Sequence, residues 1–183
     1  DWKKVYVEML DDLKPKYVRL SAYWNSNEPV MGEYEFLKND NAALNFQINE
    51  ASKRGVKIVL AVGRRLPRWP ECHDPDWIHN LSPEVLKNEQ LSYIETVINF
   101  YQNNQNIIAW QVENEPFLGT FGICPPLDES FFDSELALVK KLDIGRPIIV
   151  TDSGELSMWI KSGSRGDIFG TTFYRYVFSD VFK

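Results

Sequence analysis

Two copies of the tripeptide Asn-Glu-Pro occur in this sequence, at Asn27-Glu28-Pro29 and Asn114-Glu115-Pro116. The second follows an apolar run from Ile107 to Val112, with Glu113 between them. A short, branched, apolar run reads as a buried strand. Glu115 therefore stands where a strand leaves the core and meets a loop. Desolvation disfavours the charged form of a carboxyl, so a Glu placed there beside aromatic residues keeps its proton toward neutral pH. That is what a general acid requires. Pro116 ends the strand and fixes the turn, and Asn114 offers an amide to a ligand hydroxyl. Glu28 lies several residues past its strand, on a segment expected to be mobile and unsuited to holding a proton donor. Glu113 is the nearer rival, and strand alternation together with the match to Asn-Glu-Pro disfavours it.

The elements that position these residues alternate along the chain. Trp2, Val5, Tyr6, Met9, Leu10 and Leu13 recur at helical spacing, and Pro15 stops that helix. Residues 17–23 read as a strand. Asp40 is expected to cap a helix through residue 54, with Leu44, Phe46, Ile48 and Ala51 among its apolar positions and Gly55 as its terminator. Strand 56–62 follows, then a helix from Ser82-Pro83, a capping hydroxyl with proline at the first helical position. After the strand at 107–112 come a helix at 128–142, a strand at 147–151, a short helix at 156–162 and a strand at 168–173. Short apolar strands separated by helices indicate a parallel sheet covered by helices. Segments after strands are long and rich in Trp, Pro, Asn and Gly, whereas those after helices are brief. A (β/α)8 barrel has this asymmetry, although an open doubly wound sheet shows the same alternation.

Composition narrows the function classes. A net charge of −6 over 183 residues argues against a phosphate-backbone partner, which calls for a basic face. No apolar run reaches the roughly 20 residues that span a membrane. Six Trp are many for this length, and each is either core or an exposed stacking surface. Cys72, His73, Asp74, His79 and Cys124 have no standard metal-site spacing, so neither metal nor other cofactor is expected. Cys72 and Cys124 fall in loops after adjacent strands, where a disulfide and two free thiols are equally compatible with the sequence. No glycine-rich phosphate loop occurs, and two histidines support no Ser-His-Asp arrangement. The chain opens directly inside an amphipathic helix, so its compartment stays open.

The stretch ending in Asn114-Glu115-Pro116 resembles the fourth-strand motif of clan A glycoside hydrolases, retaining enzymes on (β/α)8 barrels that include cellulases, mannanases and β-galactosidases. The resemblance implies that Glu115 is the acid/base and that a second Glu, on the seventh strand, is the nucleophile. Tyr17-Val18-Arg19-Leu20 resembles the second-strand pattern, whose Arg reaches toward the nucleophile; a structural ion pair is the plainer reading of Arg19. Residues 24–36, WNSNEPVMGEYEF, resemble the loop after that strand and bring in Trp24. Thr171 to Tyr176 resembles the sixth-strand end, where an aromatic hydroxyl contacts the nucleophile; Tyr174 is the candidate, with Tyr176 close behind. Where some clan families carry a His, this chain has Gly63-Arg64-Arg65 and Thr172, which leaves the individual family open.

An α/β fold is therefore expected: a partial (β/α)8 TIM barrel from about helix 1 through strand 6, with residues 1–183 a single incomplete domain. A whole barrel usually needs about 250 residues. Trp110 and Glu155 join Asn114, Arg19, Tyr174 and Trp24 as substrate-binding or supporting candidates. Trp69, Trp77, Phe117 and Phe121 either stack on sugar rings or pack their loops down. The expected partner is an oligo- or polysaccharide rather than nucleic acid or membrane. The parent is expected to be a glycosidase, and this segment, without the nucleophile strand, to be inactive alone. The alternative is a sugar-binding barrel remnant that does no chemistry.

Overall fold

The structure, a computed structural model, describes residues 1–120 and 122–173. Phe121, Tyr174 and Tyr176 lie outside the described residues. The elements run α1 (Trp2–Leu13), β1 (Tyr17–Ser21), α2 (Trp24–Asn27), α3 (Glu35–Lys38), α4 (Ala43–Lys53) and β2 (Lys57–Val62). A 3-10 turn (Asp76–Asn80) precedes α5 (Pro83–Tyr101), β3 (Ile107–Val112), α6 (Glu129–Leu142), β4 (Ile148–Asp152), α7 (Ile160–Gly163) and β5 (Ile168–Thr171).

All four strand pairings are parallel, and the sheet order is β1-β2-β3-β4-β5. A doubly wound sheet reverses its order at a switch point. Here each strand lies beside its successor without reversal, as in the wall of a barrel. The fold is a partial (β/α)8 barrel.

Alternation divides the strands between two compartments. Leu20, Ile58, Leu60, Val62, Trp110, Val112, Ile148 and Val150 point outward into the main core. There they meet Ile48 and Ala51 of α4, Ile94, Val97 and Ile98 of α5, and Phe132, Leu136 and Val139 of α6. Arg19, Val59, Gln111, Ile149 and Thr151 face the opposite, interior side. Outward burial sets the register, because a slip of one residue would place Arg19 and Gln111 in the helix layer.

Several helix ends follow their sequence signals. Ser82 accepts from the N–H of Val85 at 3.4 Å, with Pro83 in the first turn, and Asp128 accepts from that of Phe131 at 3.1 Å. Gly55 follows α4 with φ of 68°. Two expectations need correction. Asp40 is exposed and caps nothing: α4 starts at Ala43 behind Ala42, with no side-chain cap. Asn39 instead makes the preceding turn by accepting from the N–H of Asn41. The helix expected at 156–162 contracts to Ile160–Gly163. Ser153 Oγ takes the amides of Glu155 and Leu156, and Ser157 Oγ takes that of Trp159, so side chains compete for the groups a helix would use.

Candidate active site

The end of β3 is held from both neighbours. The N–H of Glu113 donates to the carbonyl of Val62 (2.9 Å) and that of Asn114 to Arg65 (2.7 Å). Beyond them the N–H of Glu115 donates across to Thr151 Oγ1 of β4 at 3.0 Å. Glu113 and Glu115 both have left-handed backbone, with φ of 56° and 47°. Such conformations cost roughly 1–3 kcal/mol each in non-glycine residues and persist only where surrounding bonds impose them.

Glu115 opens onto an interior cavity of about 290 Å3 that it shares with Arg19, Gln111, Asn114, Thr151 and Thr172. Gln111 organises this space. It accepts from Arg19 Nη1 at 3.4 Å, and its amide reaches Asn114 Oδ1 at 3.3 Å and the main-chain carbonyl of Glu113 at 2.9 Å. A glutamine in the middle of an apolar strand was a signal available in the sequence, four residues before Glu115. Thr151 carried no comparable signal, because threonine is an ordinary strand residue.

Glu115 is 8% exposed, and its Oε1 meets no hydrogen-bond partner among the described residues. Burial raises its proton affinity above the usual carboxyl range, and the charges of Glu71 and Asp152 push the same way. The neighbouring Thr172 hydroxyl and the charge of Arg65 act in opposition. Thr172 Oγ1 in turn accepts from the N–H of Gly154 at 3.0 Å. A buried carboxyl with an oxygen free toward a cavity can keep a proton near neutral pH and deliver it to a bound oxygen.

No family model matches the chain. It is similar to β-galactosidase of Mus musculus, 28% identical over 180 residues that cover 87% of this chain and 26% of that protein. Among solved structures, a β-galactosidase from Rahnella sp. R3 superposes with a TM-score of 0.68 at 14% identity, over 94% of this chain and 36% of that one. A glycosylated family 10 endo-β-1,4-xylanase from Gloeophyllum trabeum gives 0.57 at 20% identity, over 80% and 46%. The fold is that of the clan A glycoside hydrolases. The chain spans about a quarter of the mouse relative's length.

On this clan A frame the expected residues divide. Arg19, Asn114 and Glu115 line one cavity. Trp110 points the other way: it is fully buried in the helix-side core, and its indole donates to Asp143 Oδ2 at 2.9 Å. Trp24 is also fully buried, stacked on Tyr93 and donating to Glu28 Oε2 at 2.7 Å. Neither indole is placed to meet substrate, so both can only support from behind. Glu155 is exposed, with Ser153 Oγ donating to it at 3.4 Å, and does not line the cavity. Tyr174 lies outside the described residues.

The first Asn-Glu-Pro is not on a loose segment, contrary to expectation. Glu28 is buried and accepts from both Trp24 Nε1 and the N–H of Gly32, each at 2.7 Å, so it fastens its own loop. Cys72 and Cys124 form a disulfide. Trp77 donates to the carbonyl of Glu28 and Phe117 packs edge-on to Phe132, whereas Trp69 is 72% exposed. Among the described residues no group of three or more His, Cys, Asp or Glu is arranged to hold a metal, and no helix is long and apolar enough to cross a membrane.

Proposed function

We propose that this chain belongs to a retaining β-glycoside hydrolase in which Glu115 is the acid/base. One observation carries the reading. Glu115 is a buried carboxyl at the end of a barrel strand, its Oε1 without a partner among the described residues, facing a cavity that also holds Arg19 and Asn114. Its similarity to β-galactosidases supports a β-linked glycan as substrate. Asn114 would bond a sugar hydroxyl, Tyr174 would contact the nucleophile, and no cofactor is needed.

In the first step Glu115 protonates the leaving oxygen while a second carboxylate attacks the anomeric carbon; in the second, Glu115 takes a proton from the water that releases the sugar. Retention requires that second carboxylate about 5–5.5 Å away. Among the described residues lining the cavity, Glu115 is the sole carboxylate. The nucleophile is therefore assigned to a later strand of the complete protein, with Arg19 keeping it ionised, and this chain alone is inactive. A sugar-binding barrel with no chemistry would also show a single carboxylate.

The test is Glu115→Gln in the complete protein, assayed on aryl β-glycosides of graded leaving-group ability. Loss of about 10²–10⁴ in kcat for poor leaving groups, with far smaller loss for good ones, is expected of a missing general acid. Equal activity of variant and wild type on poor leaving groups overturns the assignment. Sugar binding without turnover in the wild type selects the non-catalytic reading.

A further inference from the structure

Behind the strand end lies a second cavity of about 390 Å3, between the loops that follow β2 and β3 and the helices α5 and α6. Its walls are largely apolar and include Leu86, Pro116 and the disulfide. Two buried glutamates lie at its edge, Glu113 from the strand end and Glu135 from α6, 4% and 2% exposed, besides the exposed Asp128. The two glutamates lie close enough for each to shift the proton affinity of the other. Both also accept from a single amide, Gln90 Nε2 of α5, at 3.1 and 2.6 Å.

Two buried carboxyls gathered on one amide repel strongly if both are charged, and a single proton held between them removes that repulsion. The surrounding cations are already engaged: Arg64 pairs with Asp74, Arg65 with Glu71, and Lys87 of α5 with Asp128 at the start of α6. Burial raises the proton affinity of both groups, and the neighbouring Glu113 charge adds to the effect at Glu135.

Glu113 also binds main chain. Its two oxygens accept from the N–H groups of Arg64 at 2.8 Å and Arg65 at 2.5 Å. Gly63, with φ of 124°, leaves room for this, since a Cβ there would collide with the Glu113 carboxylate. The loop after β2 and the end of β3 are thus joined through one side chain, two residues before Glu115.

We propose that Glu113 and Glu135 share a single buried proton, and that the pair is a positioning device holding the strand end that presents Glu115. The positioning role rests on the reading of Glu115 as proton donor, whereas the shared proton does not. The experiment compares Glu135→Gln and Glu135→Leu with wild type in the complete protein. It measures Tm from about pH 5 to about pH 8, and kcat and KM on the aryl β-glycoside that wild type hydrolyses.

A carboxyl whose folded-state proton affinity is raised stabilises fully below its unfolded value, and that stabilisation is lost as pH rises toward the folded one. Glutamine keeps an N–H donor toward Glu113 that does not titrate. Glu135→Gln is therefore expected to flatten the fall of Tm with pH while keeping kcat within about two-fold. Glu135→Leu, with no donor, is expected to lower kcat about ten-fold or more with little change in KM, the signature of a displaced reacting group. Parallel Tm profiles for Glu135→Gln and wild type overturn the shared proton, also where Glu135→Leu does not fold. Wild-type kcat in a folded Glu135→Leu overturns the positioning role. A flattened profile in a protein without glycosidase turnover upholds the shared proton and rejects the role given to Glu115.

Discussion

Glu113 and Glu115 are separated by one residue, yet their carboxyls line different cavities, one against the helix layer and one inside the barrel. In a regular strand, residues two apart face the same side. Here β3 ends at Val112 and both glutamates have left-handed backbone, so the alternation stops before it reaches them. Glu113 is turned away from the interior, but by this change of backbone and not by the strand periodicity that the sequence suggested. The same local strain lets one short segment serve a structural carboxyl and a solitary one.

Thr172 tunes the solitary carboxyl. Its hydroxyl lines the same cavity as Glu115 and favours the charged form of that carboxyl. In Thr172→Val that help is gone, so the Glu115 proton is held to higher pH still. The alkaline limb of the kcat–pH profile of the complete protein is expected to move up. An unmoved or lowered limb would show that Thr172 does not act on the group that limits turnover.

Trp69 offers a different kind of test, because it carries little of the fold. The strand-end loop from Arg64 to Cys72 is anchored elsewhere: Tyr23 Oη donates to the carbonyl of Pro67, and the N–H of Ile123 to that of Pro70. The exposed indole makes Trp69→Ala nearly neutral for stability, within about 0.5 kcal/mol. As a sugar-stacking surface it would contribute about 0.5–1.5 kcal/mol to binding, so KM for an oligosaccharide should rise several-fold. Tm and KM measured on one preparation decide it: a falling Tm with unchanged KM assigns Trp69 to packing.

The fold was legible because its signals are local and repeated. Branched strands, the Ser82 cap, Gly55 and the long loops after strands each mark an element without knowledge of its neighbours. The placement of candidate site residues was legible where chain order suffices, as for Glu115 just past a strand and Arg19 on an interior-facing position. It was not legible where tertiary pairing decides. Nothing in the sequence tells Trp24 or Trp110 from an exposed aromatic, and only the packing of α5 and α6 brings Gln90 and Glu135 to Glu113. Glu28 and Glu115 sit in identical tripeptides; one fastens a loop because Trp24 and Gly32 donate to it, and the other has an oxygen without a partner among the described residues.

The Cys72–Cys124 bond closes a loop of 52 residues and ties together the segments after β2 and β3. Cross-linking a loop of that length restricts the unfolded chain by an amount equivalent to about 4 kcal/mol in the entropic account, with about 2–4 kcal/mol typical of measured cases. For a chain of this size each kcal/mol corresponds to about 2–4 °C in Tm. Reduction, or Cys72→Ser with Cys124→Ser, should therefore lower Tm by roughly 5–15 °C. Calorimetry with and without reductant measures this. An unchanged Tm would mean that the two loops are held by their other contacts.

Glu115 should also be costly to the fold that carries it. Its carboxyl is buried, its Oε1 has no partner among the described residues, and its proton affinity is raised chiefly by burial. The unfolded chain releases this proton at lower pH than the native state does. The group's favourable contribution is thus complete below the ordinary carboxyl range and is lost as pH climbs through the raised folded value. Glutamine has no charge to bury. Glu115→Gln should match wild-type stability in mild acid and exceed it by a few degrees in Tm at and above neutral pH, at about 2–4 °C per kcal/mol. A Tm difference between the two proteins that stays constant from acid to neutral pH would mean that Glu115 ionises as freely in the folded chain as in the unfolded one, and a carboxyl of that kind would be a poor proton donor.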